Sequence, residues 1–427
     1  MSISKIIYKS NASDTGTVWM DVTDTTATAP TVEAGLYFYG ADGEKKLGTG
    51  SGSGTVEAVE KDVNFIDDYD GVIAYSYTAA EFANLSELPA NPTHTGMTSQ
   101  GWNWTLTDAK AYVASYGKLW IGQQYVTTSG DTEIDIYLEK GRTSPYLGLA
   151  VNGSVSVDWG DGATPSTVTG TNLSTQIRTL HNYPDTSAPY TIKISVVSGS
   201  FSFTGGSTYP VLSKNSSTLN ENIVYGSAVK FIRIGNNATI SLYGLAYLRN
   251  LKRITFPKTS QITSSYTFMQ CDSLWYLTLP ESISSVIIGI LYFNYSLKGI
   301  SIPNSATSLD NQAFYNCRSI QSISIPGGVT TIKNSALYGC QSLAKLVLPD
   351  TLTSIEASAF SGCYGLKEIH FKSSVPPTVD NSNAFSNVPT DCVIYIPYSA
   401  DHSILSAYQT ATNYPDPNTY TYTEESA

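Results

Sequence analysis

ALYGCQSLAKLVLPDTLTSIEASAFSGCYGLKEIHF, residues 336–371, says the same thing twice: Leu-x-Gly-Cys, then Phe-x-Gly-Cys, each followed by an apolar run. The interval is 23 residues, and it extends in the N-terminal direction as well. Prolines stand at 257, 280, 303, 326 and 349, while Cys271, Cys317, Cys340 and Cys363 keep the same period, with Asn294 in the remaining slot. Further columns are apolar throughout: Leu274, Leu297, Ile320, Leu343, Leu366, then Leu277, Ile300, Ile323, Leu346, Ile369, then Leu279, Ile302, Ile325, Leu348, Phe371, then Phe268, Leu291, Phe314, Leu337, Phe360.

A period of this length falls among the ~20–29-residue repeats in which each unit gives a short strand and one turn of a solenoid. The strand is the Leu-x-x-Ile-x-Ile-Pro segment: its last two apolar residues share a face, and the proline, lacking an N–H, ends the pairing. One repeat cannot stand alone. Ordering its backbone costs ~1–2 kcal/mol per residue, while five buried anchors return only ~1.5–3 kcal/mol each. Stacked neighbours supply the rest, so a parallel-stranded array is expected.

The pattern A-F-x-x-C-x-S-L-x-x-I-x-I-P, clearest in AFYNCRSIQSISIP (313–326) and AFSGCYGLKEI (359–369), resembles the BspA-like leucine-rich repeats of bacterial and phage proteins over about residues 228–392. In that family the array closes with a strand and a helix, and residues 393–415 resemble that cap. Lys372 replaces the proline near one end, and VKFIRIGNN (229–237) is a first turn shortened to a spacing of 22. Two readings fit the cysteine column: disulfides between neighbouring rungs ~4.8 Å apart, or a row of buried thiols. Asn294 in the same slot favours buried thiols.

Upstream, GTGSGSG (48–54) has flexible-linker composition. It separates an N-terminal β module (1–47), holding an Asp42-Gly43 turn, from the rest of the chain; the linker is placed at 48–62. Residues 28–38 and 42–49 resemble N-terminal segments of tail-associated proteins of gut-bacterial phages and prophages, as does the whole of residues 67–126, which implies attachment to a particle. Residues 63–126 are expected to be α+β, with a helix capped by Thr107 or Asp108 and stopped by Gly117, and with Trp102, Trp104 and Trp120 as core anchors or a sugar-stacking platform. Residues 127–205 alternate as strands. Their Asp158-Trp-Gly-Asp-Gly162 turn and His181-Asn-Tyr183 resemble a PKD-like, immunoglobulin-type sandwich. The expected architecture is therefore mainly β and multidomain, with the solenoid at 206–392 and a C-terminal cap at 393–427.

A net charge of -11 and a pI near 4.8 give no footprint for nucleic acid. The longest strongly apolar run, residues 286–293, is far short of the ~20 residues of a spanning helix. The N-terminal MSISKIIYKSNASD lacks an apolar stretch for a secretory leader, so export by the general pathway is not expected. No phosphate loop, nucleophile elbow or zinc-ligand spacing occurs, and the four histidines are scattered. The acidic run Asp67, Asp68, Asp70, Gly71 fails the EF-hand register, because Ile66 and Tyr77 fall on ligand positions. No catalytic residue, metal or cofactor is expected.

What remains is surface. With apolar strand positions inward, two ladders face out: Arg253, Tyr276, Gly299, Ser322, Lys345, Glu368 and Thr255, Thr278, Ser301, Ser324, Val347, His370. Tyr292, Tyr315 and Tyr338 form a further stripe, either a binding edge or an edge packed under the next turn. The binding set is therefore Tyr292, Tyr315, Tyr338, Tyr276, Arg253, Lys345 and His370. Three functions compete: a virion-borne phage-tail structural protein whose repeats bind a bacterial surface glycan or protein and whose N-terminal part contacts other tail proteins; a BspA-like adhesin at the bacterial cell surface; and a glycan hydrolase, whose two carboxylates need only lie ~5–9.5 Å apart. A homo-oligomer stays open, since no heptad run sets a number.

Overall fold

The structure, a computed structural model, describes residues 60–205, 210–214 and 218–425, and four short strands nearer the N-terminus. It is mainly β. The chain divides into two compact units, residues 1–59 with 72–75 and residues 60–71 with 76–427. In the first unit Ile6–Tyr8 pairs with Thr17–Met20, and Tyr37–Tyr39 with Lys45–Leu47, both antiparallel. The Asp42-Gly43 turn and the 48–54 linker lie outside the described residues, as do most of residues 28–49.

In the second unit the 23-residue period becomes a solenoid with two parallel ladders. One uses the expected strands, Arg253–Thr255, Tyr276–Thr278, Gly299–Ser301, Lys345–Leu348 and Glu368–Phe371. Partners are one period apart, as in Leu277 with Ile300. The other consists of two-residue strands such as Ser308–Leu309, Thr331–Ile332 and Ser354–Ile355, too short to stand out in the sequence. The turn between them needs two left-handed residues per repeat. One column is Tyr243, Tyr266, Gly289, Gln312, Ser335, Ser358; the other is Tyr247, Gln270, Phe293, Asn316, Gly339, Gly362. The glycines in these columns adopt this conformation at least cost.

The N-terminal end of the ladder is closed by further pairing, which removes an exposed edge there. The shortened first turn forms as expected: Phe231 aligns with Arg253, a spacing of 22, and the other side of Val229–Arg233 pairs antiparallel with Thr132–Leu138. Arg233 fastens this junction through Glu133 at 2.7 Å and Asp135 at 2.6 Å. Strand Ala188–Phe203 pairs with Thr132–Leu138 and Tyr146–Asp158, then runs parallel to Ala238–Ile240. A single apolar core consequently runs from Ile134 through every repeat to Tyr408. At the far end Val393–Ile396 continues the ladder, helix Ser403–Thr410 comes next, and Thr421–Glu424 adds a last strand that the sequence did not announce.

Candidate functional site

The outward side of the solenoid's main ladder is not free. Residues 60–71 and 76–127 lie on its earlier rungs: strand Leu119–Thr127 runs between Val63–Asp67 and Met97–Trp102, beside helix Leu106–Tyr116. Thr105 caps that helix, two residues before the expected position, and Gly117 ends it. The contact is polar and specific. Ser301 Oγ donates to the Trp120 carbonyl at 2.8 Å and accepts from Asn103 Nδ2 at 2.9 Å. Trp120 Nε1 donates to Ser322 Oγ, Ser324 Oγ donates to the Lys118 carbonyl, and the Thr278 N–H donates to Asp68 Oδ2. Tyr125 N–H, Trp104 Nε1 and Tyr112 Oη reach the carbonyls of Phe256, Ile302 and Ile325, the residues just before three of the periodic prolines. Thus one repeat after another finds its partner in the same module.

This docking corrects the outward ladders. Tyr276 is 6% exposed and packs on Trp120, so it offers no binding surface. Gly299 sits where any side chain would meet the Trp120 ring, with a Cβ 2.9 Å from it. Arg253 is half-buried: Nη1 donates to the Tyr69 carbonyl at 2.6 Å and the guanidinium lies 4.3 Å from the Phe231 ring. Lys345 is exposed but paired with Glu368 at 3.1 Å. His370 is buried between Glu368 and Glu425 and stacks on Tyr395 at 4.3 Å. Trp102, Trp104 and Trp120 are buried anchors of the module, not a platform for a sugar.

The tyrosine stripe is different. Tyr292, Tyr315 and Tyr338 are partly exposed and stack at 4.8 and 4.6 Å, with ring planes 22° and 7° apart. Each precedes the second left-handed residue of its turn by one position, so the bend carries the ring outward. The ring spacing is close to the ~4.8 Å rung repeat. The stack extends beyond the expected three: Tyr243 and Tyr266 stack at 5.3 Å, and Tyr266 meets Tyr292 edge-on. Tyr266 lies over Gly289, where a Cβ would come within 2.4 Å of its ring, and its hydroxyl donates to Gln312 Oε1. Phe293 links the row to exposed Tyr295, over which Arg318 lies at 4.9 Å. Because neighbouring faces cover each other, the row presents edges and hydroxyls. Partial burial, then Tyr338 beside it, holds the Tyr315 phenol above its usual range, so it stays neutral.

The repeat cysteines are free and buried. Cys271, Cys317, Cys340 and Cys363 each donate from Sγ to the carbonyl 26 residues earlier, at 3.2–3.3 Å, and Asn294 Nδ2 makes the same bond to Phe268 at 2.7 Å. The column is a donor slot, and burial pushes the thiols of Cys317 and Cys363 up to about 12. Asp67, Asp70 and His94 place one ligand atom each within 4.8 Å of one another, a grouping the sequence motifs missed. Asp67 there already accepts from Tyr125 Oη and Tyr69 N–H and pairs with His94, which makes the group a hydrogen-bonded knot. The Asp158 turn is likewise satisfied: Asp158 accepts from Gly160 N–H, and Asp161 from Ala163 N–H beside His181, which stacks on Trp159. Among the described residues no helix is long and apolar enough to cross a membrane.

A family model, the BspA type leucine-rich repeat region, matches in six copies that span residues 189–292, 217–343 and 287–408, together more than half of the chain. No curated protein matches. Among solved structures, the pneumococcal vaccine antigen PcpA is 16% identical over 45% of this chain and 70% of its own, with a TM-score of 0.23. A leucine-rich repeat protein from Bacteroides ovatus is 17% identical over 46% and 66%, at 0.22. A leucine-rich cell surface protein from Faecalibacterium prausnitzii is 18% identical over 47% and 74%, also at 0.22.

Proposed function

Because the chain belongs to the BspA-type leucine-rich repeat family, whose members are typically non-enzymatic proteins of bacterial cell surfaces, we propose that it is an adhesion protein that binds a surface glycan or protein through its tyrosine row. The observation that carries this reading is the contrast between the two faces. The earlier rungs of the main ladder, through Ser324, are covered by residues 60–71 and 76–127, while Tyr292, Tyr315 and Tyr338 stay partly exposed in a stacked row. Tyrosine suits such a role, because it brings large contact area and a polar tip at small entropic cost. In this reading residues 127–205 are a PKD-like spacer that doubles as the cap of the array.

A second reading places the same surface on a phage tail, supported by the resemblance of residues 28–38 and 42–49 to tail-associated proteins. The family match favours the cell surface. Immunogold labelling of intact producing cells and of particles released after induced lysis separates the two. Gold on the envelope is expected; gold confined to tail tips overturns the cell-surface reading in favour of the virion. Binding itself is tested with the full chain on immobilised envelopes: Tyr315→Ala with Tyr338→Ala is expected to lower affinity at least tenfold with unchanged circular dichroism. Unchanged affinity removes the row from the function.

A further inference from the structure

A cleft of about 410 Å³ opens where the docked module meets the early repeats, lined by Asp70, Gly71, Lys252, Arg253, Ser273 and Trp275. Its volume falls within the ~300–1,000 Å³ usual for small-ligand sites. Two observations mark it. Trp275 is 43% exposed, with the Lys298 ammonium 4.2 Å from its ring. No repeat needs an indole there, since the same column holds Lys252, Lys298, Gln321, Ala344 and Lys367. Arg253, by contrast with Arg233 and its two carboxylates, makes no ion pair within 4.0 Å among the described residues, although it is half-buried. One of its nitrogens is held by the Tyr69 carbonyl and its face by Phe231, which fixes the guanidinium at the cleft wall.

An exposed indole offers a flat apolar surface that matches the C–H face of a pyranose, and a guanidinium pairs with a carboxylate in planar, two-point fashion. Lys252 adds positive charge on the same wall. We propose that this cleft binds a uronic-acid residue of an acidic polysaccharide, with the pyranose ring on Trp275 and the carboxylate on Arg253. The site is separate from the tyrosine row and does not depend on it. Burial holds the Arg253 guanidinium below its usual range although Asp70 on the same lining draws it up, so a bound carboxylate would offset the remaining desolvation cost.

The test is isothermal titration of the full chain with a galacturonate tetrasaccharide, the neutral galactose tetrasaccharide and sodium acetate. Binding of the galacturonate, at least tenfold tighter than the neutral oligosaccharide and weakened by salt, is expected. Trp275→Ala, at a position where other repeats carry Lys, Gln or Ala, is expected to reduce it at least tenfold with an unchanged melting temperature. Arg253→Lys keeps the charge but loses planar pairing and is expected to weaken it as well. Equal binding of the neutral oligosaccharide, equal binding of acetate alone, no binding of galacturonate, or indifference to Trp275→Ala each overturns the proposal. Because Tyr315→Ala leaves this cleft intact, loss of the adhesion reading and loss of this site are distinguishable.

Discussion

Replacing Asn294 by cysteine is expected to stabilise the protein. Asn294 is wholly buried; its Nδ2 donates to the Phe268 carbonyl at 2.7 Å, but its Oδ1 has no partner among the described residues. A buried acceptor left unpaired costs ~1–3 kcal/mol, while the amide bond that would be exchanged for a weaker S–H bond is worth ~0.5–1.5 kcal/mol. Four other repeats show that a thiol fits the slot and reaches the same carbonyl. The net gain is about 1 kcal/mol, which at ~2.1 cal/mol/K per residue raises the melting temperature of this unit by about 1–2 °C. Differential scanning calorimetry under reducing conditions reads it, with Asn294→Ala as the control. That variant removes the donor and leaves the Phe268 carbonyl bare, so it should melt below wild type. A fall in melting temperature for Asn294→Cys, alongside Asn294→Ala, would refute the account of the column as a donor slot.

Three other outcomes rest on the same geometry. Gly299→Val drives a side chain into the Trp120 ring, which a Cβ alone approaches to 2.9 Å; such overpacking costs ~1–3 kcal/mol. Hydrogen exchange should quicken over residues 106–126 and stay unchanged beyond residue 350, and unchanged protection of the helix would contradict the docking. All five cysteines are free and buried, so the native protein should resist a thiol reagent at neutral pH and yield five thiols once denatured; a recovered disulfide would sink this. His370, then Lys345, hold the Glu368 carboxyl below its usual range. Its contribution is therefore present above an unfolded value near ~4.3 and lost as pH falls through the lowered folded value, with Lys372 and Glu425 completing the cluster. Glu368→Gln should flatten the pH dependence of unfolding in that acidic window; an unaltered profile would argue against the pairing.

The solenoid was legible because each turn repeats the same physical demands: Leu277 and Ile300 go inward, Pro280 and Pro303 stop the strand, and Cys271 or Asn294 donates to a carbonyl. The fate of the outer ladder was not. Alternation tells which side a residue faces, but not what covers that side, and the bonds that decide it join residues about 200 positions apart, such as Asn103 with Ser301 and Tyr112 with Ile325. Traces of it are nevertheless present. Gly299 interrupts a column of larger residues, Thr255, Thr278, Ser301 and Ser324 stay small until the module ends, and three tryptophans cluster in the docking segment. Arg253 was singled out for its outward position, whereas its importance lies at the wall of a cleft formed only once residues 70 and 71 arrive. The stacked row was anticipated at Tyr292, Tyr315 and Tyr338; its extension through Tyr266 and Tyr243 departs from those positions by three residues, because those rings occupy the first left-handed column.

Hydroxyl-radical footprinting of the full chain, alone and on bacterial envelopes, reads the covered strand face and the tyrosine row in one measurement. In the free protein Tyr292, Tyr315 and Tyr338 should be oxidised while Tyr276, Trp120 and Tyr112 are spared, and the envelope should protect the three row tyrosines. Oxidation of Tyr276 and Trp120 in the free protein would show the strand face open, and a row that stays fully reactive on bound envelopes would contradict its role as the contact surface.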